Sequence, residues 1–319
     1  GNPNVPGTNS YDYRINGGAW IPYALGDPIS STTYLLSTVE IRAKRSNDAL
    51  GCSAENIYIW NISSNVHDVT GTKGSYCTIQ QAIDAGTTEP GDVLELENGI
   101  YTLTGVVDIN KSITLKGQGR DNTTIEMSSS WFNNPNLNAF TLNSNNITIE
   151  DIHFKIVGKG AGSIIALFQS GAQILNNKFS GEYVYGDGEV TRATVWSASP
   201  VTGIVMDNNI IESIRQPGYI SAGSGVISNN TFTTTRGWVI EGVQNLNITG
   251  NTWNNNTSHI TILTNATNIS GLTINNNNLS GTKVDWVIDN RTPNVLNATC
   301  NWYGTTDYVN ISSKNNGPV

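Results

Sequence analysis

Charged residues are scarce in this 319-residue chain: Asp, Glu, Lys and Arg together make up 13%, about half the usual share for a soluble domain. Helix-rich proteins cover their exposed faces with Glu, Lys and Ala, so this shortage argues against a helical architecture. A basic excess is missing too. The 17 Lys and Arg face 25 Asp and Glu for a net charge of −8, which excludes the basic footprint of a nucleic-acid binder. No apolar run approaches the ~20 residues of a membrane span. The opening GNPNVPGTNS carries no signal-peptide pattern and reads as a mature or excised fragment. Cysteine is limited to Cys52, Cys77 and Cys300, with no CxxC spacing. An odd number excludes a complete disulfide framework, leaving a Cys52–Cys77 pair or free buried thiols. The three histidines, His67, His153 and His259, stand in no HExxH pattern, so a zinc site has little to build on.

Asn, Thr, Ser, Ile and Gly (32 residues) are plentiful. β-branched residues favour strands, while Asn, Ser and Gly favour turns. Many short strands joined by many turns make an all-β chain. Residues 1–64 carry alternating strand patterns in YDYRING, STVEIRAKR and NIYIWNIS, with Gly17-Gly18 as a turn. This segment resembles part of an immunoglobulin-like β-sandwich, although it is short for a whole one. A boundary falls near 63–74. Thr78 is then a candidate N-cap for a short helix with Ile79, Ala82 and Ile83 as its apolar stripe.

An internal repeat occupies the rest. Seven segments end in a large apolar residue after a polar turn: DIHF, NNKF, NNII, NNTF, GNTW, NNNL and CNWY. The closing residues are Phe154, Phe179, Ile211, Phe232, Trp253, Leu279 and Tyr303, at successive spacings of 25, 32, 21, 21, 26 and 24. Such spacing suits a solenoid whose stacked coils bury together what a lone coil cannot. Two residues before six of them stand Asn177, Asn209, Asn230, Asn251, Asn277 and Asn301; only Ile152 departs. Asn tolerates a left-handed bend, and its amide bonds to coils above and below. The register predicts an asparagine ladder.

Several pieces in order resemble the start of the pectin-lyase-like β-helix superfamily. They are Thr78-Ile79-Gln80 with Ala82-Ile83-Asp84, Gly91-Asp92, Gly99 with Tyr101, and Lys111 through Gly117. The stretch Asn297-Ala298-Thr299-Cys300-Asn301-Trp302-Tyr303-Gly304 resembles a motif at the ends of β-helical surface proteins. The resemblance implies a right-handed parallel β-helix over 65–319, a secreted or cell-surface location and a polysaccharide partner. Further domains or self-association are compatible with it. The superfamily's hydrolase signatures (Asn-Thr-Asp, Asp-Asp, Gly-His-Gly) and pectate-lyase patterns are absent, as are a P-loop and a GxSxG elbow.

Candidate site residues come from one strand per coil, VWSAS, GYISA, GWVIE, SHITI and DWVID. In that frame Trp196, Tyr219, Trp238, His259 and Trp286 form a column, with Arg215, Arg236 and Arg291 nearby. Aromatic faces stack on sugar rings, and guanidinium groups pair with acidic sugars. A buried aromatic stack is the alternative. Catalytic candidates are Glu241 and Asp289, expected about 9.6 Å apart on alternate coils, within the range of an inverting carboxylate pair, with His259 and Arg236 beside them. The longest coil inserts a loop with Tyr183, Tyr185, Asp187 and Glu189, a candidate binding loop. Asp187 and Glu189 could hold Ca²⁺; otherwise no cofactor is expected. The sequence therefore allows a glycan-binding or structural module, a lyase or hydrolase of an acidic glycan, or an end-to-end assembling surface protein.

Overall fold

The structure, a computed structural model, describes residues 8–15, 17–24, 37–47, 52–62, 66–68 and 74–319, apart from 129, 133, 135, 159, 161, 185–192, 198, 222, 243–244, 257–259, 263–268, 270 and 282–285. From Val93 onward the chain winds through three parallel sheets, contributing one short strand to each per coil. The third coil shows the pattern. Thr148–Glu150 enters the first sheet, His153–Val157 the second and Ser163–Leu167 the third. Gln173–Leu175 then returns to pair with Thr148–Glu150 in parallel. The result is a right-handed parallel β-helix of about eight coils, wound in the sense that parallel crossovers favour.

The N-terminal segment forms a separate four-stranded antiparallel sheet in the order Ile21–Pro22, Thr8–Ile15, Ser37–Asn47, Cys52–Ile62. Cross-strand ion pairs hold it. Arg14 grips Glu40 through two hydrogen bonds of 2.8 and 2.6 Å, and Arg42 reaches Asp12 at 2.7 Å. The Trp20 ring stacks with both guanidinium groups, 4.5 and 4.2 Å from its centroid. Cys77 carries a free thiol, so the Cys52–Cys77 pair does not form.

A helix at Ile79–Asp84 covers the first coil. Thr78 caps it by accepting from the Gln81 N–H at 3.2 Å, and Ile79, Ala82 and Ile83 face the core. The far end of this helix is tied down by Lys111, whose Nζ donates to the carbonyls of Ile83 and Ala85; a cation suits that negative pole.

The seven closing residues are all buried. Strand register stacks Phe154 on Phe179, Ile211, Phe232 and Trp253 in turn. Phe154 and Phe179 lie face to face, 5.1 Å apart and 9° from parallel. Each such side chain contributes about 1.5–3 kcal/mol by leaving water.

The asparagine ladder forms, with a division of labour at each bend. The left-handed backbone belongs to the residue before the ladder Asn: Asp151, Asn176, Asn208, Asn229, Gly250, Asn276 and Cys300 all have φ between 54° and 68°. The ladder Asn is thereby free to turn inward. Its Oδ1 accepts the main-chain N–H of the equivalent residue one coil earlier, as in Asn177 to Asn209 at 2.9 Å and Asn209 to Asn230 at 2.8 Å. Its Nδ2 donates to a carbonyl of that coil, Ile149 for Asn177 and Ile174 for Asn209. Ile152 is the first rung: its N–H donates to Asn177 Oδ1, and it has no side-chain amide to pass the ladder on. A buried main-chain N–H at a bend lies outside the strands, so the ladder amide oxygen satisfies it, while the amide nitrogen adds a bond to a carbonyl of the preceding strand.

Candidate functional site

Most of the candidate residues that the structure describes fall on or beside the third sheet. Its register pairs Ala166 with Trp196, Trp196 with Tyr219, Tyr219 with Val239, and Val239 with Thr261, which pairs with Asp289. Alternate residues of a strand face opposite sides, and in this register Trp196, Tyr219 and Val239 are partly exposed, whereas Ala166 and Asp289 are buried. Trp196 and Tyr219 are half-buried neighbours in that register. Phe168, 40% exposed, extends the patch, its ring edge-on to Trp196 at 6.1 Å.

Trp238 does not belong to this face. The frame that aligned it with Tyr219 is one residue out, since Tyr219 pairs with Val239. A slip of one residue reverses every side chain. Trp238 is fully buried, its ring edge-on to Phe232 at 6.1 Å. Its ring lies over Gly218, where a Cβ would come within 1.8 Å of it. Trp286 is exposed at 46% but precedes its strand, Ile288–Asn290, and is outside the column.

The carboxylates are also displaced from the expected pair. Asp289 is in register with Val239, two residues before Glu241. Two coil steps and two residues separate their Cα atoms by about 12 Å, more than the 9.6 Å expected. Each is engaged elsewhere: Glu241 accepts from the Tyr219 hydroxyl at 2.6 Å. Asp289, 5% exposed, holds Arg291 and Asn316. Arg236 is exposed and Arg215 half-buried at the start of the face, joined by a main-chain hydrogen bond from Arg236 N–H to the Arg215 carbonyl. Arg291 projects at the other margin, 53% exposed.

Tyr183, expected on a binding loop, is buried at 6%, and its N–H donates to the Ser213 carbonyl on the next coil. His259, Tyr185, Asp187 and Glu189 lie outside the described residues. Among the described residues, no group of three or more His, Cys, Asp or Glu is placed to hold a metal ion, and no helix is long and apolar enough to cross a membrane.

Phe168 was missed by the sequence frame because it falls two residues beyond the aligned strand position, Ala166. Parity counted from Trp196 would have found it.

No protein-family model matches the chain, and no curated protein sequence does. Among solved structures, it is similar to a pectin methylesterase from carrot, at 12% identity and a TM-score of 0.32, covering 74% of this chain and 86% of that one. It is also similar to the catalytic domain of a GH87 α-1,3-glucanase in complex with nigerose, at 12% identity and a TM-score of 0.37. That match covers 90% of this chain and 63% of the glucanase domain. Likeness this distant carries no chemistry across, and the fold assignment rests on the strand pairing itself.

Proposed function

We propose that this protein binds an extended, acidic polysaccharide along the outer face of its third sheet, as a secreted or cell-surface β-helix module with a structural or adhesive role. The observation that carries the reading is the surface formed by Phe168, Trp196 and Tyr219 on successive coils. Trp196 and Tyr219, in register one coil apart, are spaced by about 4.8 Å along the axis, and Phe168 lengthens the surface, which suits an extended ligand better than a compact one. Sugar rings stack on aromatic faces, and the guanidinium groups of Arg215, Arg236 and Arg291 at the margins place positive charge where uronate carboxylates would lie. The offset of Glu241 from Asp289, and the partners each already has, favour binding over glycosidic-bond cleavage.

The test is retention on a panel of acidic and neutral polysaccharides, with lyase and reducing-end assays on the same samples. Trp196→Ala and Tyr219→Ala are expected to weaken binding about tenfold each, the size of a lost aromatic anchor. Trp286→Ala should have a smaller effect. Turnover of any acidic glycan, or undiminished binding in the Trp196→Ala, Tyr219→Ala double variant, overturns the reading. Sedimentation of the same samples decides end-to-end association, for which Trp302, Tyr308 and Val309 at the last coil present exposed apolar surface.

A further inference from the structure

We propose a second site, remote in kind from the aromatic face: Ser75, His67 and Glu97 form a nucleophile–base–acid relay suited to carboxylic ester hydrolysis. Ser75 and His67 are directly opposite each other on the antiparallel strands Val66–Asp68 and Gly74–Tyr76. The Ser75 Oγ is 2.8 Å from His67 Nδ1. The other ring nitrogen, Nε2, is 2.7 Å from Glu97 Oε1. Glu97 follows the strand Val93–Leu96, which pairs with the His67 strand on its other side.

The acid fixes the tautomer. A carboxylate only accepts, so Nε2 carries the ring hydrogen and donates it to Glu97. In the neutral ring Nδ1 then holds the lone pair and accepts the Ser75 O–H. That is the protonation state a serine nucleophile requires, with the base oriented by a third group. A second serine–histidine contact, Ser180 Oγ to His153 Nε2 at 2.7 Å, has among the described residues no carboxylate hydrogen-bonded to the other ring nitrogen. All three members of the Ser75 relay are partly or fully open to solvent. Ser75 also lies on the last strand of the ten-stranded sheet, so among the described residues no further strand blocks the approach.

The chemistry balances without a cofactor. Ser75 Oγ attacks the ester carbonyl carbon while its proton passes to His67 Nδ1. The tetrahedral intermediate collapses, breaking the bond to the leaving alcohol, which takes the proton from His67. Water, deprotonated by the same nitrogen, then releases the acyl group as a carboxylic acid and regenerates Ser75. A small acyl ester of an alcohol is the substrate class, since Ser75 and His67 are half-buried and Glu97 is exposed.

The experiment uses the full chain, a fluorophosphonate probe and p-nitrophenyl acetate, with the modified peptide mapped by mass spectrometry. The expected result is a single adduct on Ser75 and hydrolysis of the acetate. His67→Gln is expected to slow labelling at least 100-fold, in line with the loss of a general base. Glu97→Gln acts by positioning, and should slow it by tenfold or more while circular dichroism stays unchanged. Absence of a Ser75 adduct on the folded wild-type protein overturns the proposal. So does wild-type labelling in the His67→Gln variant, which needs no assumption about how Ser75 variants fold.

Discussion

Replacing Asn230 by Ala tests the ladder in its middle. The substitution removes two hydrogen bonds accepted by Oδ1, from the Asn209 N–H at 2.8 Å and Asn209 Nδ2 at 2.9 Å. It also removes two donated by Nδ2, to the Met206 carbonyl at 3.0 Å and Asn251 Oδ1 at 2.9 Å. Not all of these losses matter equally. Asn209 Nδ2 keeps the Ile174 carbonyl, and Asn251 Oδ1 keeps the Asn230 N–H. The groups deprived of their ladder bonds are two main-chain groups, the Asn209 N–H in the buried bend and the Met206 carbonyl in the strand Ile204–Asp207 that leads into it. At about 1–3 kcal/mol for each buried group left unsatisfied, the expected loss is about 2–6 kcal/mol. For a chain of this size that lowers the melting temperature by about 5–20 °C. Asn229→Gly is the control. Asn229 has φ 55° and is exposed, and glycine holds the equivalent bend position at Gly250, so the change should stay within about 1 kcal/mol. Asn230→Asp keeps the acceptor but turns an oxygen toward Met206 and Asn251, and should recover part of its stability at low pH, where a protonated carboxyl donates. Urea and thermal unfolding of the three variants decide the matter. An Asn230→Ala protein as stable as Asn229→Gly would refute the reasoning.

Gly218→Ala should destabilise by about 1–3 kcal/mol through overpacking, because its Cβ meets the Trp238 ring. Adding Trp238→Leu should recover part of that loss, since the smaller side chain vacates the contact; among the described residues the Trp238 Nε1 has no hydrogen-bond partner to forfeit. A double variant whose urea midpoint equals the sum of the single effects would show that the two sites are not coupled. His153 is held below the usual histidine range, first by burial and then by the charges of Lys178 and Lys155, with Glu212 and Asp121 opposing. The folded state therefore binds the proton more weakly than the unfolded one. Its contribution to stability is complete above about pH 6.5 and is lost as the pH falls through the depressed folded value. Melting curves between pH 7.5 and 5 should fall less steeply for His153→Gln than for the wild type, and equal slopes would contradict this.

The coils were legible because their period is written in chemistry that has few substitutes. A large apolar residue must close each turn over the core, and a buried bend needs an amide that both donates and accepts. Phe154 to Tyr303 and Asn177 to Asn301 therefore stand out in the chain. The left-handed bend was assigned to the ladder Asn itself, whereas the preceding residue adopts it. A run such as Asn229-Asn230 cannot say which of two asparagines turns. The candidate face was harder to read. Trp238, Val239 and Ile240 are all apolar, so parity within GWVIE is ambiguous, and one residue of register moved Trp238 from the surface to the core. The Ser75–His67–Glu97 relay left no motif, because two members come from adjacent strands and the third from the residue after another strand, and they meet only through cross-strand pairing.

Sequence alone determined the periodic parts of this protein: the all-β class, the stacking of coils and the ladder positions. Each is a local demand repeated along the chain, and repetition makes a local demand visible. Only the tertiary structure decided which side chains face outward, which carboxylates approach one another and which serine meets which histidine. Those are relations between coils, and a shift of a single residue or 4.8 Å changes them without changing any local preference.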